Sequence, residues 1–316
     1  MHSSTPPPPD PSSTDGTVEG VDAFLSALVA DLDGHHSTAP LSDLDRAAVV
    51  RLRERWGEIP DDVRSLLVRS MVEDAEDHVE RHYARAFMVA CDDSDADVRL
   101  AAFDGLWESR TPELLALLLG RVAAEPDARV REAMTTGLGR FAFESEDDED
   151  VAAVRQALTE RFEDDPAIDV RRRALEALGY LAGEDIVEAI EDGYSSPSIE
   201  LRASALHAMG RQADERWVET CLRELTSDDP ELRFEAVTAL GAIGDQRTVS
   251  PVIDAIEDED TEVAIASISA LGEIGGPMAI NRLRQLVQDD NPAIAEAAED
   301  ALQEASIMAN PLRPLT

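Results

Sequence analysis

The chain has 316 residues, with 67 Asp or Glu against 28 Lys or Arg and a formal charge of −39. No lysine is present, so every basic side chain except histidine is arginine, and the phosphate-neutralising basic surface that nucleic-acid binding requires is not expected. Hydrophobic residues make up 43% but aromatics only 4%, so a core has to be built from Ala, Leu, Val and Ile, in one compact domain or in an extended array.

Residues 1–17, "MHSSTPPPPDPSSTDGT", are rich in Pro, Ser and Thr and show no apolar period, which predicts a disordered tail. From Val18 onward only helices are expected. "VDAFLSALVADL", "LSDLDRAAVVRLRERW", "DDVRSLLVRSMVEDA" and "DHVERHYARAFMVAC" form an N-terminal helical cap over residues 18–90. In this cap "RLRERW" is a charged outer face in which Arg51 and Arg55 are balanced by Asp43, Asp45, Glu54 and Glu58. His78 and His82 stand four apart on an expected helix, a legal metal-ligand spacing, but exposed charge surrounds them and no third ligand is evident. Cys91 and Cys221 sit among apolar helical residues and are expected to be buried thiols.

Past residue 90 the chain repeats. An Arg column runs through Arg99, Arg131, Arg171, Arg202 and Arg233, then continues at Ala264 and Ala295, with spacings of 32, 40, 31, 31, 31 and 31. A small residue follows three later (Ala102, Met134 as an exception, Ala174, Ala205, Ala236, Ser267, Ala298) and an apolar one seven later (Leu106, Leu138, Leu178, Met209, Leu240, Leu271, Leu302). Glycine follows eight later at Gly139, Gly179, Gly210, Gly241 and Gly272. Arg64 is a candidate head for a degenerate earlier repeat. Asp165-Pro166, Ser196-Pro197, Asp229-Pro230 and Asn291-Pro292 each pair a helix N-cap with proline at the first helical position. A second helix is expected after Thr111, Asp185, Asp214 and Asp245. Each repeat is therefore a helix A, a turn and a helix B, and stacked pairs bury faces that a single pair leaves exposed.

"DPELRFEAVTALGAIGDQRTVSPVIDAIED" carries this pattern most fully. It resembles the HEAT-repeat family, specifically the short PBS-lyase HEAT-like repeat, over residues 91–308, with a C-terminal tail at 309–316. The resemblance implies an all-α, right-handed α-α superhelix, a HEAT-repeat solenoid. It also implies that the B helices line a concave surface, which makes Arg216, Arg223, Arg247, Arg282 and Arg284 the candidate partner contacts. The acidic, lysine-free composition resembles that of halophilic archaeal proteins, in which carboxylates hold water at high salt.

The Arg column falls on the packing side of helix A, where a guanidinium needs carboxylates or carbonyls. We expect a structural inter-repeat ladder of Arg99, Arg131, Arg171, Arg202 and Arg233. The expected partners are the inter-helix acids Asp185, Asp214 and Asp245 and neighbouring carbonyls, supplied by the preceding repeat. "ESEDDED" (144–150), in the 40-residue repeat, is expected to be a solvated loop between helices. It lacks the glycine turn and spacing of a calcium loop.

No Ser/His/Asp constellation, P-loop or dinucleotide turn appears, so no catalytic residue, metal or cofactor is expected. The expected function is a non-enzymatic scaffold or adaptor for a protein or peptide. One alternative is a HEAT-like enzyme or maturation factor, of lyase or metal-dependent oxidoreductase type. The His-Glu dipeptides of the di-iron deoxyhypusine hydroxylases are absent. Nucleic-acid binding is the second alternative. No apolar run approaches the roughly 18 residues of a membrane span, and no secretory leader is recognisable, so the cytoplasm is the expected location.

Overall fold

The computed structural model describes residues 15–309 apart from 33, 35 and 146, and the side chains of 307–309 are likewise undescribed. The tails expected at 1–17 and 309–316 therefore lie largely outside the described residues, at 1–14 and 310–316. The described residues are all-α, without a strand. The chain divides into two compact units, Met1–Gly137 and Leu138–Thr316.

The first unit holds α1 (Val18–Ala30), α2 (Arg46–Arg55), α3 (Asp61–Asp77), α4 (Ala84–Ala90), α5 (Ala96–Gly105), α6 (Pro112–Arg121) and the start of α7 (Ala128–Glu144). Thr17 caps α1, Asp45 caps α2, and Thr111 caps α6 with Pro112 at its first position, each side chain accepting a backbone N–H of the first turn. α1 packs on α2, and α3 on α5. Arg51 and Arg55 converge on Asp22 of α1, at 2.7 and 2.9 Å, and their hydrogen bonds hold that carboxyl below the usual range.

The helix expected through His78 and His82 is interrupted. His78 ends α3 as its C-cap and His82 lies in the connection to α4, so the two are not on one helical face. Asp74 draws this connection together instead, accepting from Arg81 and from the Tyr83 hydroxyl.

The second unit continues α7 and adds α8 (Asp148–Asp164), α9 (Ile168–Leu178), α10 (Glu184–Tyr194), α11 (Ile199–Gln212), α12 (Val218–Glu224), α13 (Pro230–Ile243), α14 (Val249–Ala255), α15 (Thr261–Ile274), α16 (Gly276–Leu286) and α17 (Pro292–Ala309). The run at 144–150 is helical at both ends: Glu144 closes α7 and Asp148–Asp150 open α8, with Ser145 and Asp147 between them. Asp147 caps α8 through the N–H groups of Glu149 and Asp150, and acids in a first turn complement the helix dipole. The extra length of this repeat thus goes into two 17-residue helices.

Two expected N-caps also move. α9 and α11 are capped at Ala167 and Ser198, two residues past Asp165 and Ser196, whose side chains instead accept the N–H of the capping residue. Asp229 and Asn291 stand where expected. Among the B helices, Asp185 falls inside the first turn of α10, after the cap at Gly183.

Helices α9, α11, α13, α15 and α17 form a continuous A row, each packed on the next, while α10, α12, α14 and α16 each pack chiefly on the A helix that follows. Glycine sets the A-row spacing. A Cβ at Gly179, Gly210 or Gly241 would stand 2.9 Å from the backbone Cα of Ala208, Ala239 or Ala270, and one at Gly272 would stand 3.0 Å from the Cα of Ala301. Helices of the A row touch through Gly and Ala, whereas the B helices barely meet one another. Cys91 and Cys221 are both buried free thiols, and burial pushes the Cys221 thiol up to about 12.

Candidate functional site

The Arg column sits at the fourth residue after each A-helix cap, with its guanidinium turned back toward the turns between repeats. Arg99 donates Nη1 to the carbonyls of Asp93 and Ser94, at 2.9 and 3.0 Å, and its Nε and Nη2 to Glu125, at 3.0 and 2.5 Å. Arg233 repeats this, with Nη1 on the Ser227 carbonyl at 2.9 Å and Nε and Nη2 on the two oxygens of Asp258, each at 2.8 Å. Arg64 donates Nη1 to the Ile59 carbonyl at 2.8 Å and Nη2 to Asp93 at 3.3 Å. Arg131 holds the carbonyls of Glu125 and Pro126, at 2.9 and 3.1 Å. Arg64, Arg99 and Arg233 thus each bind a carbonyl of the turn before their helix and an acid in the turn after their own B helix, and Arg131 binds the carbonyls of the turn before its helix.

Carbonyl partners are found as expected, but the acidic partners differ from those expected. Asp185, Asp214 and Asp245 pair with Arg155, Arg216 and Arg247 at 2.7, 2.9 and 2.5 Å. The reason is direction: the guanidinium points to the end of the helix pair where repeats join, whereas these aspartates lie at the opposite end, between A and B. The acids in question are turn-formers. Asp93, Glu125 and Asp258 each accept the N–H two residues on, at 2.8, 3.0 and 2.8 Å, while also taking the arginine. Where Ser227 replaces the acid, Arg202 reaches Glu224 instead, at 2.9 Å, alongside the Tyr194 hydroxyl at 2.5 Å. Arg171, whose next turn carries Ser196, donates to the Phe162 carbonyl at 2.8 Å and stacks over the Phe162 ring.

The five B-row arginines do not gather into a site. Arg216 and Arg247 are tied to their own cap aspartates and face Glu184 and Glu215 of the previous repeat, at 3.9 and 3.6 Å. Arg223 approaches the Tyr194 hydroxyl at 3.4 Å, Arg282 pairs with Glu257 at 3.1 Å, and Arg284 is exposed. They alternate with carboxylates along the B row and present no uniform charge.

The A row carries what sequence reasoning missed. Phe143, 68% exposed at the end of α7, packs on Tyr180 with ring centroids 5.1 Å apart. The Arg211 guanidinium lies over the same Tyr180 ring at 5.0 Å. Arg211 also meets His207 at 3.3 Å, and the other ring nitrogen of His207 meets Glu235 of α13 at 3.3 Å. One helix earlier, Arg172 bonds Ser204 of α11 and reaches past it to Glu231 of α13, at 3.2 and 2.9 Å. The available signal was rarity: a chain with seven Phe and three Tyr places one of each beside the glycine column. Farther along, Phe234, Thr238, Ile265, Ala266 and Ser269 line a groove of about 520 Å³ between α13 and α15. No helix of the described residues is long and apolar enough to cross a membrane.

Comparison with known proteins gives a consistent picture. The HEAT-repeat family matches residues 84–179, 155–220 and 218–303. No curated protein sequence matches the chain. Among solved structures, one of Kap95p with RanGDP is similar at 14% identity and a TM-score of 0.53, covering 90% of this chain and 45% of that one. The CpcE–CpcF complex of phycocyanin lyase from Nostoc sp. PCC7120 is similar at 15% identity and a TM-score of 0.49, covering 86% and 100%. A designed armadillo-repeat protein in complex with the peptide (KR)4 is similar at 18% identity and a TM-score of 0.39, covering 60% and 99%. At these identities the likeness is one of fold alone.

Proposed function

The chain belongs to the HEAT-repeat family, and from that premise we propose that it is a non-enzymatic scaffold or adaptor that holds a protein or peptide partner on the A row of its second unit. The observation that carries this is the cluster of Phe143, Tyr180 and Arg211: an exposed ring, a second ring packed on it and a guanidinium over that ring. Tyr and Arg dominate the energetics of protein interfaces, and exposed aromatics are rare in a chain with so few. The solenoid structure cited above with a TM-score of 0.53 is solved with a protein, RanGDP. A cytoplasmic signalling, motility or complex-assembly setting fits such an adaptor.

The test is stoichiometric capture of the partner by the full chain at molar salt. A Tyr180→Ala/Arg211→Ala variant is expected to lose the partner by more than tenfold, whereas Arg216→Ala/Arg247→Ala retains it. Loss confined to the second variant would move the contact surface to the B row and overturn this assignment.

We further propose that the composition is an adaptation to high salt. A charge of −39 repels itself at low ionic strength, and molar salt shortens the screening length to about 3 Å. The melting temperature is expected to rise by roughly 10 °C between 0.1 and 3 M KCl, a few kcal/mol for a chain of this size. A flat or falling melting curve would contradict it.

A further inference from the structure

The groove between α13 and α15 combines an apolar floor with two carboxylates. Its floor is apolar, made by Phe234, Ile265, Ala266 and Ala270, with the hydroxyls of Thr238 and Ser269 along it. Its charged residues are Glu262, in the first turn of α15, and Glu273, in the last, with no cation among the lining. Two other carboxylates of the A row, Glu231 and Glu176, are met by Arg172 and Arg173. Glu262 and Glu273 have no ion-pair partner among the described residues. The Glu273 carboxylate lies back against α13, where a Cβ on Gly241 would be 2.7 Å from its Oε2. Desolvation there, with the nearby charge of Glu304, holds its pKa above the usual glutamate value. A carboxylate raised in this way is stabilised by an incoming cation, because the cation removes the cost of ionising it.

We propose that this groove takes a segment of a partner protein in which apolar side chains are flanked by arginine or lysine, the apolar groups seated on Phe234 and Ile265 and the cations on Glu262 and Glu273. The charge complementarity selects this occupant: an acidic or purely apolar segment would leave both carboxylates unpaired over an apolar floor. The ends of α15 set the span. Eleven residues separate Glu262 from Glu273, about 16 Å along a helix, which an extended segment covers with roughly five residues. This rests on the assignment of the A row as the contact surface and extends it by naming the chemistry of what binds.

The probe is a fluorescein-labelled decapeptide of alternating arginine and leucine, measured by fluorescence polarisation against the full chain in 0.5 M KCl. An all-arginine decapeptide and a glutamate–leucine decapeptide serve as comparisons. The arginine–leucine peptide is expected to bind at least tenfold tighter than either. Glu273→Gln is expected to weaken it about tenfold with an unchanged melting temperature, and Ile265→Ser to weaken it similarly while leaving the all-arginine peptide unaffected. Equal affinity for the arginine–leucine and all-arginine peptides would show only general attraction to an acidic chain, and an unchanged affinity in Glu273→Gln would remove the groove from the site. Either result overturns the proposal. An Arg313→Ala variant that binds the peptide tenfold tighter would assign the groove to the chain's own C-terminal residues and overturn it too. Because the readout is a synthetic peptide, these failures leave the capture result for Tyr180 and Arg211 standing, and the reverse also holds.

Discussion

Replacing Gly210 by valine is expected to unfold the second unit or cost it at least about 3 kcal/mol, because the added atoms have nowhere to go. Even the first of them, Cβ, would stand 2.9 Å from Ala239 Cα and 3.2 Å from its Cβ, inside a contact between two backbones. Neither helix can yield alone, since α11 is held by α9 on one side and α13 by α15 on the other. The sign of a milder change is the sharper observation. On helix propensity alone Gly→Ala stabilises by about 1 kcal/mol. That gain is expected at Gly120, where a Cβ would meet nothing within 4 Å. At Gly210 the same substitution is expected to lower the melting temperature. Thermal unfolding of the two single variants checks both, and stabilisation by Gly210→Ala would mean that the A row is not packed backbone to backbone.

Removing the Arg233 side chain is expected to cost about 3 kcal/mol, the range for breaking a buried ion pair by deleting one partner. Both groups are largely shielded, with 9% and 11% of their side chains exposed, and the two bonds to Asp258 are parallel and charge-assisted. The loss strands Asp258 and releases the Ser227 carbonyl as well. Arg233→Ala/Asp258→Ala is therefore expected to be less destabilised than the sum of the single variants, by 1 kcal/mol or more in a double-mutant cycle. Arg171→Ala, which loses a carbonyl and a ring contact but strands no acid, is expected to cost less. The pH dependence has a definite sign. The Arg233 hydrogen bond holds Asp258 below its ordinary value of 3.8, so the pair's stabilisation is complete above that value and is lost as pH falls through the lowered one. In Arg233→Ala that acid-side loss should shrink, which urea melts between pH 2 and 5 would show.

The period of the fold was legible because one residue in each column is chemically unusual for its place: an arginine on an apolar face, a glycine in mid-helix. The partners of those residues were not. Ala177, Ala208, Ala239, Ala270 and Ala301 recur six residues after the arginine position and receive the glycine column, but alanine is common on every face of these helices, so the column carries no contrast. The acids that take the arginines are hidden differently. Asp93, Glu125 and Asp258 lie 29, 26 and 25 residues beyond their arginines, in turns crowded with other carboxylates. Spacing alone cannot show which of these a guanidinium reaches; the direction of the side chain along its helix decides. The same holds for the face. Placing the partner contacts on the B-row arginines followed from the family resemblance, whereas the aromatic cluster and the groove lie on the A row. At 144–150 the run of acids suggested solvent, but Asp148, Glu149 and Asp150 form the first turn of α8, capped by Asp147.

The column ends where the arginine does, and that end can be rebuilt. Ala264 occupies the position of Arg233 one repeat later and is buried. Asp289 occupies the position of Asp258 and makes the same turn bond, to the N–H of Asn291 at 2.9 Å, yet it is exposed. Ala264→Arg should then recreate the missing clamp. The measurement is thermal unfolding with amide exchange over α15 and α16, for Ala264→Arg in the native and in the Asp289→Ala backgrounds. Slower exchange and a higher melting temperature in the native background, both lost when Asp289 is alanine, are the expected result. An arginine that destabilises the repeat, or that stabilises it equally without Asp289, would contradict the clamp as the element that joins successive repeats.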